Sequence, residues 1–325
     1  MDRQGPLLHV TVSVISLAQI SHSPTPPVGG LVPPMRSLVL SMTLTACASD
    51  SMMEPGDPMQ PDAPPVGVAP ALPSPSGTCP ALVNGDVTFA PAGMPPRKVK
   101  LAFDPAVTTK AELVIYWHAT GSAPQEAAYS LGATQGAITA RGGIVAAPYS
   151  DGAAGMFEWF IVNQSPKQDD FLLADEIVGC LADKIDASRI HSLGMSAGGL
   201  QTTAFSFVRS SYVASVATFS GGIPAGFSPA IEDADNKFAA LIFEGGTSDN
   251  VFGVDFQAAS ETYRAMLEAS GHFAAICDHG MGHEIPLDAA PSIDAFFAAN
   301  PYGAWPSPYA SSGLPASFPS YCARP

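Results

Sequence analysis

The chain has 325 residues, 46% of them hydrophobic and 13% charged, a composition that supports a sizeable core and excludes a disordered or fibrous protein. Its formal net charge is −15 with only 14 Lys and Arg, which leaves too little basic surface to neutralise nucleic-acid phosphates. No apolar run reaches the roughly 18 residues of a spanning helix, so several membrane spans are not expected.

From Met35 the chain reads MRSLVLSMTLTACASD. One arginine, a short apolar run and the box Leu44-Thr45-Ala46-Cys47 resemble a bacterial lipoprotein signal, in which the cysteine is lipidated and everything before it is removed. Residues 1–46 are therefore expected to be an upstream extension plus signal peptide, with LLHVTVSVISLAQI as a weaker rival signal core. Either core implies export, and lipidation at Cys47 implies attachment to the cell envelope. Residues 47–78 are dense in proline and poor in large apolar side chains. Such a segment cannot offset its ordering entropy by burial and reads as a tether. The folded domain is expected over 79–325, as one unit and as a monomer.

Four cysteines follow Cys47: Cys79, Cys180, Cys277 and Cys322. Export permits disulfides. Cys79 and Cys322 flank the folded region and are the expected pair. Cys180 lies beside Ile177 and Leu181 on the apolar face of an expected helix, where a free buried thiol is the commoner state.

Strand-like and helix-like runs then alternate. KVKLAF and AELVIYWHAT read as strands, the second apolar enough to be buried on both faces. PQEAAYSLGATQGAITARGG opens with proline and glutamate, closes on glycines, and reads as one helix. The strand GIVAAPY, a loop over 150–168, the helix DDFLLADEIVGCLADK and the strand RIHSLGM follow. Next come the helix LQTTAFSFVR, the strands VASVATFSGG and FAALIFEGG, the helix FQAASETYRAMLEASG, the strand FAAICDHG and the helix APSIDAFFAAN. Strands separated by helical crossovers imply an α/β domain with a mostly parallel sheet covered on both faces.

Gly194-Met195-Ser196-Ala197-Gly198 matches G-x-S-x-G at a strand-to-helix junction, where a sharp turn exposes a nucleophilic serine. A glycine-rich turn with a capping serine is the plainer alternative. A serine hydroxyl needs a base to take its proton. After the last apolar strand, CDHGMGHEIP supplies His279 and His283. Asp249 follows the preceding strand in LIFEGGTSDNVFG, whereas Asp255 stands where it caps the next helix. The order Ser, acid, His is that of a nucleophile-elbow triad. The oxyanion donors are expected to be the N–H of Ala197 and one from the loop YWHATGS, at Thr120 or Ala119.

At YWHATGS, GGIVAAPYSD, DDFLLADEIV, RIHSLGMSAGGLQTT, FEGGTSD and CDHGMGHEIP the chain resembles secreted α/β-hydrolases of the polyhydroxybutyrate depolymerase and feruloyl esterase type, lipoprotein forms of myxobacteria included. The resemblance implies an α/β-hydrolase fold, a cofactor-free serine ester hydrolase, and a triad of Ser196, Asp249 and His283. His283 is preferred to His279 because the family's histidine follows a glycine shortly before a proline. Implied substrates are aliphatic polyesters, hydroxycinnamate esters or acetyl esters. Two positions depart from the family: His118-Ala119 where it usually has His-Gly, and Glu244-Gly245 where a His-Gly often precedes the acid.

Trp159, in the loop MFEWFIV, is expected either as an aromatic wall for the substrate or as a residue packed under that loop. A metal site at Cys277, His279 and His283 lacks further ligands in the sequence. A peptidase would use the same triad, and a silent binding protein would be expected to lose one of its members.

Overall fold

The computed structural model describes residues 69–323. The signal sequence, Cys47 and most of the tether lie outside the described residues. The strands are β1 (Gly85–Phe89), β2 (Arg97–Ala102), β3 (Ala111–Trp117), β4 (Ile144–Pro148), β5 (Ile185–Met195), β6 (Ser215–Phe219), β7 (Ala239–Glu244), the short pair β8 (Asn250–Val251) and β9 (Val254–Asp255), β10 (Phe273–Asp278) and β11 (Cys322–Ala323). The helices are α1 (Glu126–Leu131), α2 (Ala133–Ala140), α3 (Asp169–Leu181), α4 (Ala197–Val208), α5 (Phe256–Ala269), α6 (Ala290–Ala299) and α7 (Pro308–Ser312).

Among the described residues one large sheet runs β1-β2-β4-β3-β5-β6-β7-β10-β11. It is parallel from β4 to β10 and antiparallel at β1, β2 and β11. Successive strand residues face opposite sides, so each central strand feeds two cores. Leu113, Ile115 and Trp117 of β3 pack with Phe171 and Ile177 of α3, Phe205 of α4 and Tyr263 of α5. Val114 and Tyr116 pack on the other face with Leu131 of α1, Ile138 of α2 and Phe296 of α6. Two covered faces explain why β3, β4, β6 and β7 read as continuous apolar runs.

The expected single helix over 124–143 is two. Gly132 stands between α1 and α2 at φ +50°, a conformation that glycine adopts at little cost and other residues avoid. The edge strands β1 and β11 were not legible in the sequence, since β1 carries a mixed pattern and β11 has two residues.

Both disulfides differ from the expected one. Cys79 pairs with Cys180, and Cys277 with Cys322. The reason lies in the end of the expected tether, which docks on α3. The Ser76 N–H and hydroxyl donate to the buried Glu176 carboxylate at 2.7 and 2.9 Å, and the Gly77 N–H donates to it at 3.0 Å. That fixes Cys79 beside Cys180, which lies one helical turn after Glu176 on α3 and is therefore not a free thiol. At the other end, β11 lies antiparallel to β10 with Cys322 opposite Cys277. Folded structure thus begins before residue 79.

Candidate active site

Ser196, Asp249 and His283 come from three loops at the carboxyl ends of parallel strands. Ser196 follows β5 and sits at φ +56°, ψ −118°, a strained geometry for a residue with a side chain. Its N–H donates to the Phe219 carbonyl of β6 at 2.9 Å, which holds the turn closed. Gly198 permits this turn: a Cβ there would lie 1.9 Å from the Trp117 carbonyl oxygen at the end of β3. The first turn of α4 therefore lies directly against the β3 loop.

The hydroxyl of Ser196 lies 2.8 Å from His283 Nε2, and His283 Nδ1 lies 2.7 Å from Asp249 Oδ1. A carboxylate only accepts, so Nδ1 carries the proton and Nε2 is the lone-pair acceptor for the serine O–H. The loops that carry the acid and the histidine are joined by the Gly282 N–H donating to the Gly245 carbonyl at 2.9 Å. The Phe256 ring packs on the imidazole with centroids 4.7 Å apart. Burial alone would push the Asp249 carboxyl up. Hydrogen bonds from His283, the Gly245 N–H and the Ser220 hydroxyl overcome it and hold the group below its usual range. Asp249 is thus ionised where an imidazolium would form beside it.

Asp255 caps α5, accepting the Ala258 N–H at 3.0 Å. His279 stands off the serine, its Nδ1 accepting the Met281 N–H at 3.3 Å. His191 is fully buried and stacked on Phe297, and burial lowers its pKa to about 3. Cys277 is in a disulfide, and among the described residues no cluster suits a metal ion.

Trp159 does not form a wall of the site. It is fully buried against Trp117 with centroids 5.0 Å apart, and its indole N–H donates to the His118 carbonyl at 2.9 Å. That is the packed alternative, because a loop end carrying an unpaired carbonyl beside an apolar face suits an indole.

The backbone amides of the β3 loop differ in their partners. The Ala119 N–H donates to Glu126 Oε1 at 2.9 Å, the Gly121 N–H to Glu158 Oε2 at 3.1 Å, and the Ser122 N–H to the Ala119 carbonyl at 3.0 Å. Among the described residues the Thr120 N–H has no partner within the chain. Ala119 is thereby removed as a candidate and Thr120 kept. Ala197 opens α4, where the amide has no intrahelical partner and the helix dipole favours negative charge.

A cavity of about 620 Å³ opens at Ser196 and His283, with Thr120, Tyr129, Phe252 and Ile285 among its walls. Ser220, Phe256, Tyr129 and Phe252 were not foreseen. Only Ser220 left a trace, in the SGG that ends the strand next to that of Ser196.

Glu244 ends β7 behind Asp249. It is almost fully buried, with only a 3.4 Å bond from the Gln257 amide, and Oε2 has no partner. Burial first, then the nearby carboxylates, raise its pKa from 4.5 to about 7. The unfolded chain loses this proton near pH 4.5 and the folded chain near 7, so stability falls as pH rises through that window and stays reduced above it. The shift corresponds to at most roughly 3 kcal/mol. Glu244→Gln is therefore expected to raise the thermal midpoint relative to wild type at pH 8 and much less at pH 4.5. An equal effect at both values in melting experiments would contradict it.

No protein-family model matches the chain, and no curated protein matches it. Solved structures do. Native pOPH superposes with a TM-score of 0.62 at 17% identity, over 77% of this chain and 96% of that one. A thermostable esterase gives 0.54 at 16% identity, over 66% and 62%. The Pyrobaculum calidifontis esterase gives 0.50 at 14%, over 65% and 83%. At such identities the likeness is one of fold, and the chain has the α/β-hydrolase fold.

Proposed function

We propose that the protein is a serine carboxylic-ester hydrolase. The observation that carries this reading is the continuous chain Ser196 Oγ, His283 Nε2, His283 Nδ1, Asp249 Oδ1, with links of 2.8 and 2.7 Å. Ser196 Oγ attacks the ester carbonyl while His283 Nε2 takes its proton, and Asp249 stabilises the imidazolium. The carbonyl oxygen becomes an oxyanion held by the N–H groups of Ala197 and Thr120. Collapse returns the proton from His283 to the departing alcohol and leaves an acyl group on Ser196. Water, activated by the same histidine, then attacks the acyl carbonyl and frees the acid. The esterase names of two structural neighbours agree with this reading.

For the substrate, we propose an ester with an apolar acyl or aryl part, of the polyhydroxyalkanoate, feruloyl or acetyl kind. Tyr129 and Phe252 are exposed large side chains that also line the cavity at the serine. Such side chains favour apolar over charged groups. We also place the folded part in an oxidising compartment outside the cytoplasm, because two disulfides are the expected product of export and not of the cytosol. Free thiols at these four cysteines in chain isolated from its own host would contradict that placement.

The test of the function is a panel of purified protein against polyhydroxybutyrate film, methyl ferulate, acetylated xylan and short p-nitrophenyl esters. Turnover of p-nitrophenyl butyrate and at least one of the others is expected. No turnover of any member overturns the reading.

A further inference from the structure

Two acidic side chains that take no part in the proton relay converge on the loop after β3. Glu126, in the first turn of α1, accepts the Ala119 N–H at 2.9 Å and the Tyr116 hydroxyl at 3.0 Å on the same oxygen. Glu158 accepts the Gly121 N–H at 3.1 Å and stands 3.7 Å from His118 Nδ1. A surface loop does not need two carboxylates for its stability. Backbone amides at such a position are ordinarily satisfied by water.

Glu158 is itself firmly placed. Its own backbone lies at φ +66°, a conformation held only where its surroundings enforce it. The next residue, Trp159, is pinned to the His118 carbonyl, and the Phe160 N–H donates to the buried Asp170 carboxylate at 2.7 Å. Asp170 in turn is paired with Arg97 of β2 at 2.5 Å. On the other side, Glu126 is braced by Tyr116, a fully buried residue of β3. The loop is therefore gripped from α1 and from the 150–168 loop, each support running back to a strand of the sheet.

We propose that Glu126 and Glu158 are positioning residues of the oxyanion hole: by accepting the two flanking amides they hold the loop so that the Thr120 N–H between them is left for the ester oxygen. The grip is one of hydrogen-bond acceptors, and the negative charge itself is a cost. An anionic side chain near a developing oxyanion disfavours it, so the carboxylates serve in spite of their charge. That separates positioning from electrostatic catalysis in a way that can be measured.

This inference rests on the esterase reading. The experiment compares Glu126→Ala, Glu126→Gln, Glu158→Ala and Glu158→Gln with wild type and Ser196→Ala, in the full chain. It reads kcat and KM for p-nitrophenyl butyrate, Ki for an alkyl trifluoromethyl ketone, and the thermal midpoint. The ketone forms a tetrahedral adduct whose oxyanion occupies the same donors as the transition state. Each alanine variant is expected to lower kcat about ten- to hundredfold, the scale of a donor displaced by an ångström, with KM within about threefold. Ki should rise in the same proportion as kcat/KM falls. Glutamine keeps an acceptor oxygen and is expected to restore kcat to within about threefold of wild type. Glu126→Met and Glu158→Met keep the side-chain length without an acceptor oxygen and read the same loss if an alanine variant does not fold.

Alanine or methionine variants within threefold of wild type overturn the proposal, as does a loss that glutamine does not recover or that leaves Ki unchanged. Wild-type turnover that survives Ser196→Ala, or no turnover at all, overturns the esterase reading and this proposal with it. Ser196-dependent turnover with indifferent Glu126 and Glu158 variants overturns this proposal alone.

Discussion

Ser196→Ala is expected to lower kcat for p-nitrophenyl butyrate by about a millionfold, and Asp249→Asn by about ten-thousandfold, the scales seen when a triad loses its nucleophile or its acid. Neither should unfold the domain. Among the described residues the Ser196 hydroxyl bonds only to His283, while the bond that holds its turn, from its N–H to the Phe219 carbonyl, is backbone and survives. Alanine meets the same φ of +56° that serine already tolerates. Asparagine at 249 acts differently. The carboxylate accepts from three donors: His283 Nδ1, the Gly245 N–H and the Ser220 hydroxyl. An amide offers one oxygen and one NH2. With NH2 toward the imidazole, Nδ1 must become the acceptor and the proton moves to Nε2, where the ring can no longer take one from Ser196. Steady-state kinetics with circular dichroism on each variant checks both outcomes. A folded Ser196→Ala protein that retains turnover within tenfold contradicts the triad.

The largest expected effect on stability comes from the Cys79–Cys180 bridge. It closes a loop of 101 residues, and a loop of that size restricts the unfolded chain by roughly 4–5 kcal/mol in the chain-entropy account. The double variant Cys79→Ser, Cys180→Ser is expected to lower the thermal midpoint by roughly 10–15 °C. Catalysis should change little, because Cys180 lies at the carboxyl end of α3, while Ser196, Asp249 and His283 follow the carboxyl ends of strands that run antiparallel to the helices. Calorimetry of both proteins under non-reducing conditions decides it. An unchanged midpoint contradicts the bridge.

How much of this was visible in the sequence depended on whether a feature is local. The two-sided burial of β3, β4, β6 and β7 needs long apolar runs, and those are written plainly in AELVIYW and AALIFE. The serine turn needs small residues at fixed offsets, so GMSAG announced it. Asp249 was legible because it follows an apolar strand in the order that the fold requires, whereas His279 and His283 both follow the next strand and only the family resemblance favoured His283. Disulfide connectivity was not, since four cysteines allow three pairings and only the docking of Ser76 and Gly77 on Glu176 selects one. Trp159 was ambiguous for the same reason: its partner is a backbone carbonyl, which no side-chain pattern reveals. Glu126 read as an ordinary acid at a helix start, and its grip on Ala119 appears only when α1 is folded back over β3.

The most direct test of the central claim is covalent labelling. A fluorophosphonate added to the wild-type chain should give one adduct per molecule by intact mass, mapped to the peptide that holds Ser196, with loss of p-nitrophenyl butyrate turnover in step with labelling. Ser196→Ala should give none. A chain that hydrolyses the ester yet carries its adduct on another residue, or takes none, would contradict Ser196 as the nucleophile.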